Sequence, residues 1–170
     1  MMSAIMALMD WLHPTVEKRS QGFGLREGMR VVDYGCGPGR YLHYYARLVG
    51  PAGSVYAVDV QPLAIEAAKR QAGRFGLGNV KPVLAQGYAT GLPGQIADAV
   101  IALDIFFGLK DPSAFLQEAR RICKPDGVLI LDDGHESRSR TLQKVSASGL
   151  WKVAEASPDH LKLVIRSPDS

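Results

Sequence analysis

Residues 31–40 read Val-Val-Asp-Tyr-Gly-Cys-Gly-Pro-Gly-Arg, an apolar run that ends in a carboxylate and breaks into three alternating glycines. The order is that of a buried strand, a tight loop and the start of a helix. Gly35, Gly37 and Gly39 permit backbone turns closed to other residues and a close approach to a ligand. The helix beyond them offers unpaired N–H groups at its N-terminus. A second apolar run, Ser54–Asp59, also ends in a carboxylate, about 20 residues further on.

Around this stretch, short β-branched runs alternate with longer helical ones. Strands are expected at residues 30–34, 54–59, 80–85, 97–103 and 128–132, with helices at about 40–49, 62–75 and 112–123. The last two helices open on Pro62 and Pro112, which suit a first turn. Ala64, Ala67, Ala68, Ala72 and Phe75 make one apolar face, and Phe115, Leu116, Ala119, Ile122 and Cys123 another. Such alternation predicts right-handed βαβ units and a parallel sheet covered on both faces, with ligands beyond the carboxyl ends of the strands. The end departs from it: residues 150–156 and 160–166 are separated only by Ser157-Pro158-Asp159, which suits an antiparallel hairpin and a reversed final strand.

The 170 residues are expected to form a single domain, residues 1–28 making an N-terminal helical cap on a core of residues 29–170. Ile5, Leu8, Met9 and Leu12 form the cap's apolar stripe. The first twelve residues carry Asp10 and no basic leader, so neither a signal peptide nor a membrane span is read there. A net charge of +3, with acidic residues interleaved among the basic ones, gives no footing for a nucleic-acid partner. Cys36 and Cys123 have neither metal-ligand spacing nor a disulfide framework, which fits a cytoplasmic protein.

The glycine loop discriminates between cofactors. A dinucleotide fingerprint needs G-x-G-x-x-G with pyrophosphate on the helix N-terminus, yet the third position here is Arg40. Asp33 would repel a pyrophosphate and favour a ligand carrying an ammonium and a sulfonium, which points to S-adenosyl-L-methionine. Asp59 can accept both ribose hydroxyls of either cofactor.

With these motifs the chain resembles the class I S-adenosylmethionine-dependent methyltransferases. Gln86–Pro93, Q-G-Y-A-T-G-L-P, is similar to that family's G-D-A-x-x-L-P segment after strand three. A-D-A-V-I-A-L-D resembles its fourth strand, and F-L-Q-E-A-R-R-I-C-K-P-D-G the helix and turn before its fifth. The flavour is that of the branch containing the ubiquinone and menaquinone C-methyltransferases. The resemblance implies a Rossmann-like α/β fold: seven strands, mostly parallel, in the order 3-2-1-4-5-7-6, the last antiparallel, with helices on both faces. It places Asp33, Tyr34, Gly35, Cys36, Gly37 and Gly39 at the methionine end of the cofactor and Asp59 and Val60 at the ribose. Gly87 and Tyr88 fall on the adenine side and Leu103 at the pocket floor. Tyr88 stands where the family carries an Asp, so it is expected to stack on the adenine ring. Asp126 replaces a turn glycine.

Methyl transfer from a sulfonium mainly requires that acceptor and methyl carbon be aligned and water excluded. An oxygen or carbon nucleophile needs a base besides, for which Asp104 and His135, at the tips of strands four and five, are the candidates. Asp104, Asp132 and Asp133 also resemble the magnesium ligands of catechol-type O-methyltransferases, but Phe107 replaces that group's lysine, and no metal is expected. Ile105, Phe106 and Phe107 suggest an apolar wall and a small, partly apolar acceptor rather than a nucleobase. The chain is short, so the N-terminal segment, a second copy or a protein partner is expected to close the pocket. Two further readings stand beside this one: a cofactor-binding subunit without activity, and a nicotinamide-dependent oxidoreductase.

Overall fold

A computed structural model describes residues 15–167. Ile5, Leu8, Met9 and Leu12, the stripe expected of the N-terminal cap, lie outside the described residues.

Seven strands form one sheet: β1 (Arg30–Tyr34), β2 (Ser54–Asp59), β3 (Val80–Leu84), β4 (Ala97–Ala102), β5 (Cys123–Leu131), β6 (Trp151–Ala156) and β7 (Leu161–Ile165). Their order is 3-2-1-4-5-7-6, with β7 antiparallel to both neighbours and the other pairs parallel, as the resemblance implied. The helices are α1 (Thr15–Gln21), α2 (Leu42–Val49), α3 (Pro62–Arg74), α4 (Pro112–Ile122) and α5 (Arg138–Ser148), with a 3-10 turn at Phe106–Gly108.

Strand pleating divides the core in two. Val31, Val55, Ala57, Ala99, Ile101 and Ile130 point to one face, where Leu42, Tyr45 and Val49 of α2 and Ile65 and Ala68 of α3 cover them. Val32, Val58, Val100, Leu129 and Leu131 point to the other, under Phe115, Leu116 and Ala119 of α4 and Val145 of α5. Trp151 joins that face and donates its indole N–H to the Leu116 carbonyl at 3.1 Å, which fastens the terminal hairpin to α4. Asp111 caps α4 by accepting the Ala114 N–H, and Ser137 caps α5 by accepting that of Arg140. Among the described residues no helix is long and apolar enough to cross a membrane.

The fifth strand is longer than expected. It starts at Cys123, and the Lys124-Pro125-Asp126-Gly127 turn is taken up as a bulge between the Ala97 and Ala99 pairings with β4. A Cβ on Gly127 would stand 2.6 Å from Cys123 Sγ and 3.0 Å from the carbonyls of Ala97 and Asp98. Gly127→Ala is therefore expected to lower stability by about 1 to 3 kcal/mol in urea denaturation, because two of the three obstacles are backbone. Unchanged stability would mean the bulge relaxes freely.

The antiparallel register places the functional end of the molecule. Leu131 pairs with Leu161, so residues 157–160 of the β6–β7 turn stand beside the carboxyl end of β5. The five parallel strands and this turn thus converge on one edge.

Candidate functional site

Asp33 occupies the β1 tip, almost wholly buried, and its Oδ2 has no hydrogen-bond partner. Burial first, and then the nearby Asp59 carboxylate, push its carboxyl up to about 7. Tyr45 of α2 also has a buried hydroxyl without a partner and feels the Asp33 charge. An orphaned, costly carboxylate at a strand tip is a place for a cationic group.

The glycine loop is held by two amides: Gly35 and Cys36 both donate to the Val58 carbonyl, at 2.7 and 3.0 Å. Asp59 then accepts the Gly37 N–H through Oδ2 and the Gln61 N–H through Oδ1, each at 2.9 Å. The β1 and β2 tips are locked together by that carboxylate. A Cβ placed on Gly37, or on Gly87 beyond β3, would meet nothing within 4 Å, so the backbone at both borders open space. Val60, just after β2, is exposed, and Leu103, just after β4, is buried.

Two expected contacts are placed differently. Tyr34 turns to the α4 face, donates its hydroxyl to the Tyr88 carbonyl at 2.6 Å and packs edge-on to Phe115 at 4.8 Å. Its side chain braces the β3 loop from beneath, since strand pleating puts it opposite Asp33. Tyr88 accepts the Asp111 N–H on its hydroxyl at 2.9 Å, which ties that loop to the start of α4. Cys36 is buried, and burial first, then Asp33 and Asp59, hold its thiol up as neutral S–H.

A cleft of about 700 Å³ opens beyond β4 and β5. Its lining includes Arg19 of α1, Tyr41 of the glycine loop's far end, Asp104, and Glu155, Asp159 and His160 of the hairpin. Asp104 adopts φ 57°, a left-handed conformation that Asp tolerates better than most residues, and its N–H donates to Asp132 Oδ1 at 2.9 Å. Arg19 spans the cleft: it donates to Asp132 Oδ2 at 2.8 Å, to the Asp159 carbonyl at 2.7 Å and to the Tyr41 hydroxyl at 3.2 Å. Although burial alone would lower it, the Asp132 and Tyr41 contacts raise the guanidinium further above its ordinary range.

His135 and the phenylalanines lie apart from this cleft. His135 is exposed and packs edge-on to Phe107 at 4.9 Å, against Gly134, where a Cβ would collide with that ring. Phe106 is fully buried against Phe115, so it is core and not an acceptor wall. The expected apolar wall gives way to charged side chains on aliphatic stems. Nor do the three aspartates converge: Asp132 serves Arg19 and the Asp104 N–H, while Asp133 accepts Arg138 Nε at 2.6 Å. Among the described residues no group of three acidic, His or Cys side chains could hold a metal.

Arg19, Tyr41 and His160 line this cleft with no motif to mark them. The one sequence signal was the brevity of the Ser157–Asp159 turn, which puts the hairpin tip at the strand ends.

Residues 25–162 match the family model described as a methyltransferase domain. The arsenite methyltransferase of Aquipseudomonas alcaligenes is 36% identical over 145 residues, which cover 77% of this chain and 41% of that protein. A ubiquinone/menaquinone biosynthesis C-methyltransferase of Pasteurella multocida is 33% identical over 112 residues, covering 64% of this chain and 41% of that one. The chain thus spans about two fifths of the length of these curated relatives. A solved S-adenosylmethionine-dependent methyltransferase from Aquifex aeolicus superposes with a TM-score of 0.82 at 28% identity, over 89% of this chain and 90% of that one. Sheet order, glycine loop and sequence agree, and the chain belongs to the methyltransferase domain family.

Proposed function

We propose that this protein transfers a methyl group from S-adenosylmethionine to a small molecule held in the cleft between α1 and the β6–β7 hairpin. The observation that carries the reading is the orphaned Asp33 carboxylate, buried beside open backbone at Gly37. A dinucleotide would bring pyrophosphate to the same tip and meet repulsion.

Asp33 would hold the methionine ammonium, Gly35, Cys36, Gly37 and Gly39 the adjoining backbone surface, and Asp59 and Val60 the ribose side. Gly87, Tyr88 and Leu103 would border the adenine, with the Tyr88 ring and not its hydroxyl as the contacting part, since that hydroxyl already serves Asp111. The cofactor supplies an activated methyl group on a cationic sulfur. What remains for the protein is to align the acceptor and exclude water, an orientation effect of roughly 7 to 11 kcal/mol. Asp104, at the rim of the cleft, would accept a hydrogen bond from the acceptor and turn it toward the methyl group. A cleft near 700 Å³ falls within the size range of small-molecule sites.

The relatives' names differ in acceptor, and one of those acceptors suits this chain poorly. Soft metalloids such as arsenite want paired thiolates. Cys36 follows the carboxyl end of β1 whereas Cys123 opens β5 at the opposite edge, its thiol pushed up to about 12 by burial and then by Asp126 and Asp98. Neither is poised to act.

Calorimetry with S-adenosylhomocysteine and, separately, NADH tests the reading. The homocysteine ligand is expected to bind and NADH not. Asp59→Ala should weaken the former at least tenfold, because two loop amides lose their acceptor and the ligand loses a charge-assisted partner. Tight NADH binding with no homocysteine-ligand binding would overturn the assignment. Cofactor binding without transfer of labelled methyl to any acceptor would favour the inactive-subunit reading.

A further inference from the structure

The geometry points to a second binding site, at the amino edge of the sheet, for a phosphate monoester with an apolar body. A cleft of about 880 Å³ opens where β4, β5 and β6 begin and β7 ends. These are the opposite ends of the strands from those that carry the glycine loop and Asp104, and the volume falls within the range of small-molecule sites. Arg120 and Arg121 of α4, Arg166 after β7, and the amides of Gln95 and Gln117 line the cleft, with no acidic side chain among the described residues of the lining.

The two arginines of α4 differ in what holds them. Arg121 Nε and Nη2 donate to the Glu118 carboxylate at 2.7 and 2.8 Å, and Nη2 also donates to the Leu92 carbonyl at 2.8 Å. That guanidinium is fixed, while its Nη1 has no partner among the described residues. Although burial alone would raise the Glu118 carboxyl, hydrogen bonds from Arg121 and Thr90 hold it down at about 2, so its charge is already engaged. Arg120 is exposed, and among the described residues its guanidinium makes no hydrogen bond or ion pair. Nor does the end of α4 require it, since the Ala119 carbonyl accepts the Cys123 N–H and the Arg121 carbonyl the Gln95 N–H.

Gln95 stands at φ 53°, in the left-handed region that glycine enters without strain. Its exposed side chain makes no hydrogen bond among the described residues, so no contact within the fold accounts for an amide at that position.

Arginine forks match the paired oxygens of a phosphate. A phosphate monoester is largely dianionic at neutral pH and offers three oxygens, enough to take Arg120, the open edge of Arg121 and an amide at once. Pro125, Leu150 and Ile165 give the same cleft an apolar side, against which the ester's organic group would lie. Backbone pairing keeps that side in place: Arg166 donates its N–H to the Leu150 carbonyl at 2.9 Å, next to the Trp151–Ile165 pair. The site does not depend on the function proposed above.

Phenyl phosphate, inorganic phosphate and single-stranded oligothymidylate are titrated separately into the whole chain by calorimetry, at about 0.15 M salt to screen loose surface attraction. One phenyl phosphate per chain is expected, bound several-fold more tightly than inorganic phosphate because the ring covers Leu150 and Ile165. Arg120→Gln should weaken it about tenfold at unchanged Tm, since that side chain has no partner to lose. Gln95→Gly relieves the backbone and should fold as well as wild type, yet bind phenyl phosphate several-fold more weakly. Lys18→Gln removes a cation from the cleft beside α1 and should leave the affinity as it is.

Absence of phenyl phosphate binding would overturn the inference, as would binding that both Arg120→Gln and Gln95→Gly leave intact. A loss on Lys18→Gln would put the anion in the other cleft and overturn it too. Equal affinity for phenyl phosphate and inorganic phosphate would show an adventitious ion only. Tighter binding of oligothymidylate than of phenyl phosphate would make this edge a path for a polymer backbone, against the small-molecule assignment.

Discussion

Asp33→Asn is expected to abolish binding of S-adenosylhomocysteine and S-adenosylmethionine and, above neutral pH, to stabilise the unliganded protein. The carboxyl is buried, its Oδ2 has no partner, and its midpoint in the fold stands at about 7 against an ordinary 3.8. The folded state therefore holds a proton that the unfolded chain has released, and stability falls as pH rises from about 4 to about 7. A shift of this size corresponds to on the order of 2 to 4 kcal/mol, and Asn avoids it. Urea denaturation should show Asp33→Asn more stable than wild type at about pH 8 and nearly equal at about pH 4. Binding runs the other way. An ammonium requires the ionised carboxylate, so wild-type affinity should climb close to tenfold per pH unit up to about 7 and then level off, with a proton released on binding. An Asp33→Asn protein that binds as tightly as wild type would remove the charge argument altogether.

Arg19→Ala is expected to cost about 3 to 5 kcal/mol, which for a domain of this size lowers Tm by roughly 6 to 20 °C. The guanidinium joins α1, the glycine loop, the β5 tip and the terminal hairpin through Tyr41, Asp132 and Asp159. Its removal leaves the Asp132 carboxylate, 6% exposed, with only the Asp104 N–H. Arg19→Lys should recover little, because one ammonium cannot reach three partners in a fixed fork. Arg19→Met combined with Asp132→Asn should recover part of the loss, since no charge is then stranded. Strict additivity of the two single changes in thermal denaturation would show that the pair is not coupled.

Most of the sheet was legible before any coordinates. β1 and β2 fall at the residues expected of them, since each is an apolar run closed by an Asp and a loop. The helix after the glycine loop begins at Leu42 instead of Arg40 because Pro38–Tyr41 form turns, with the Leu42 N–H bonded to Gly39. β5 begins early because pairing with β4 draws in a bulge that propensity cannot foresee. At the site, Asp33 and Asp59 carry their meaning in spacing, whereas Tyr34 and Phe106 read as ligand contacts and serve the core. A residue's face depends on strand pleat and on which helix lies above it, and neither is a local property.

By itself the sequence determined the glycine loop of residues 31–40, the two carboxylates at its strand tips, the reversed final strand and, from their charge, a sulfonium rather than a pyrophosphate ligand. These follow from neighbouring residues in one or two elements, where dihedral freedom and charge act at short range. The tertiary structure alone assembled the cleft beyond β4 and β5. Arg19, Asp104, Asp132 and His160 are up to 141 positions apart in number, and no local pattern relates them. They meet because the antiparallel pairing of β7 with β5 brings the hairpin tip beside α1. There, hydrogen bonds from Arg19 to Tyr41, Asp132 and Asp159 tie elements distant in sequence into the walls of one cleft.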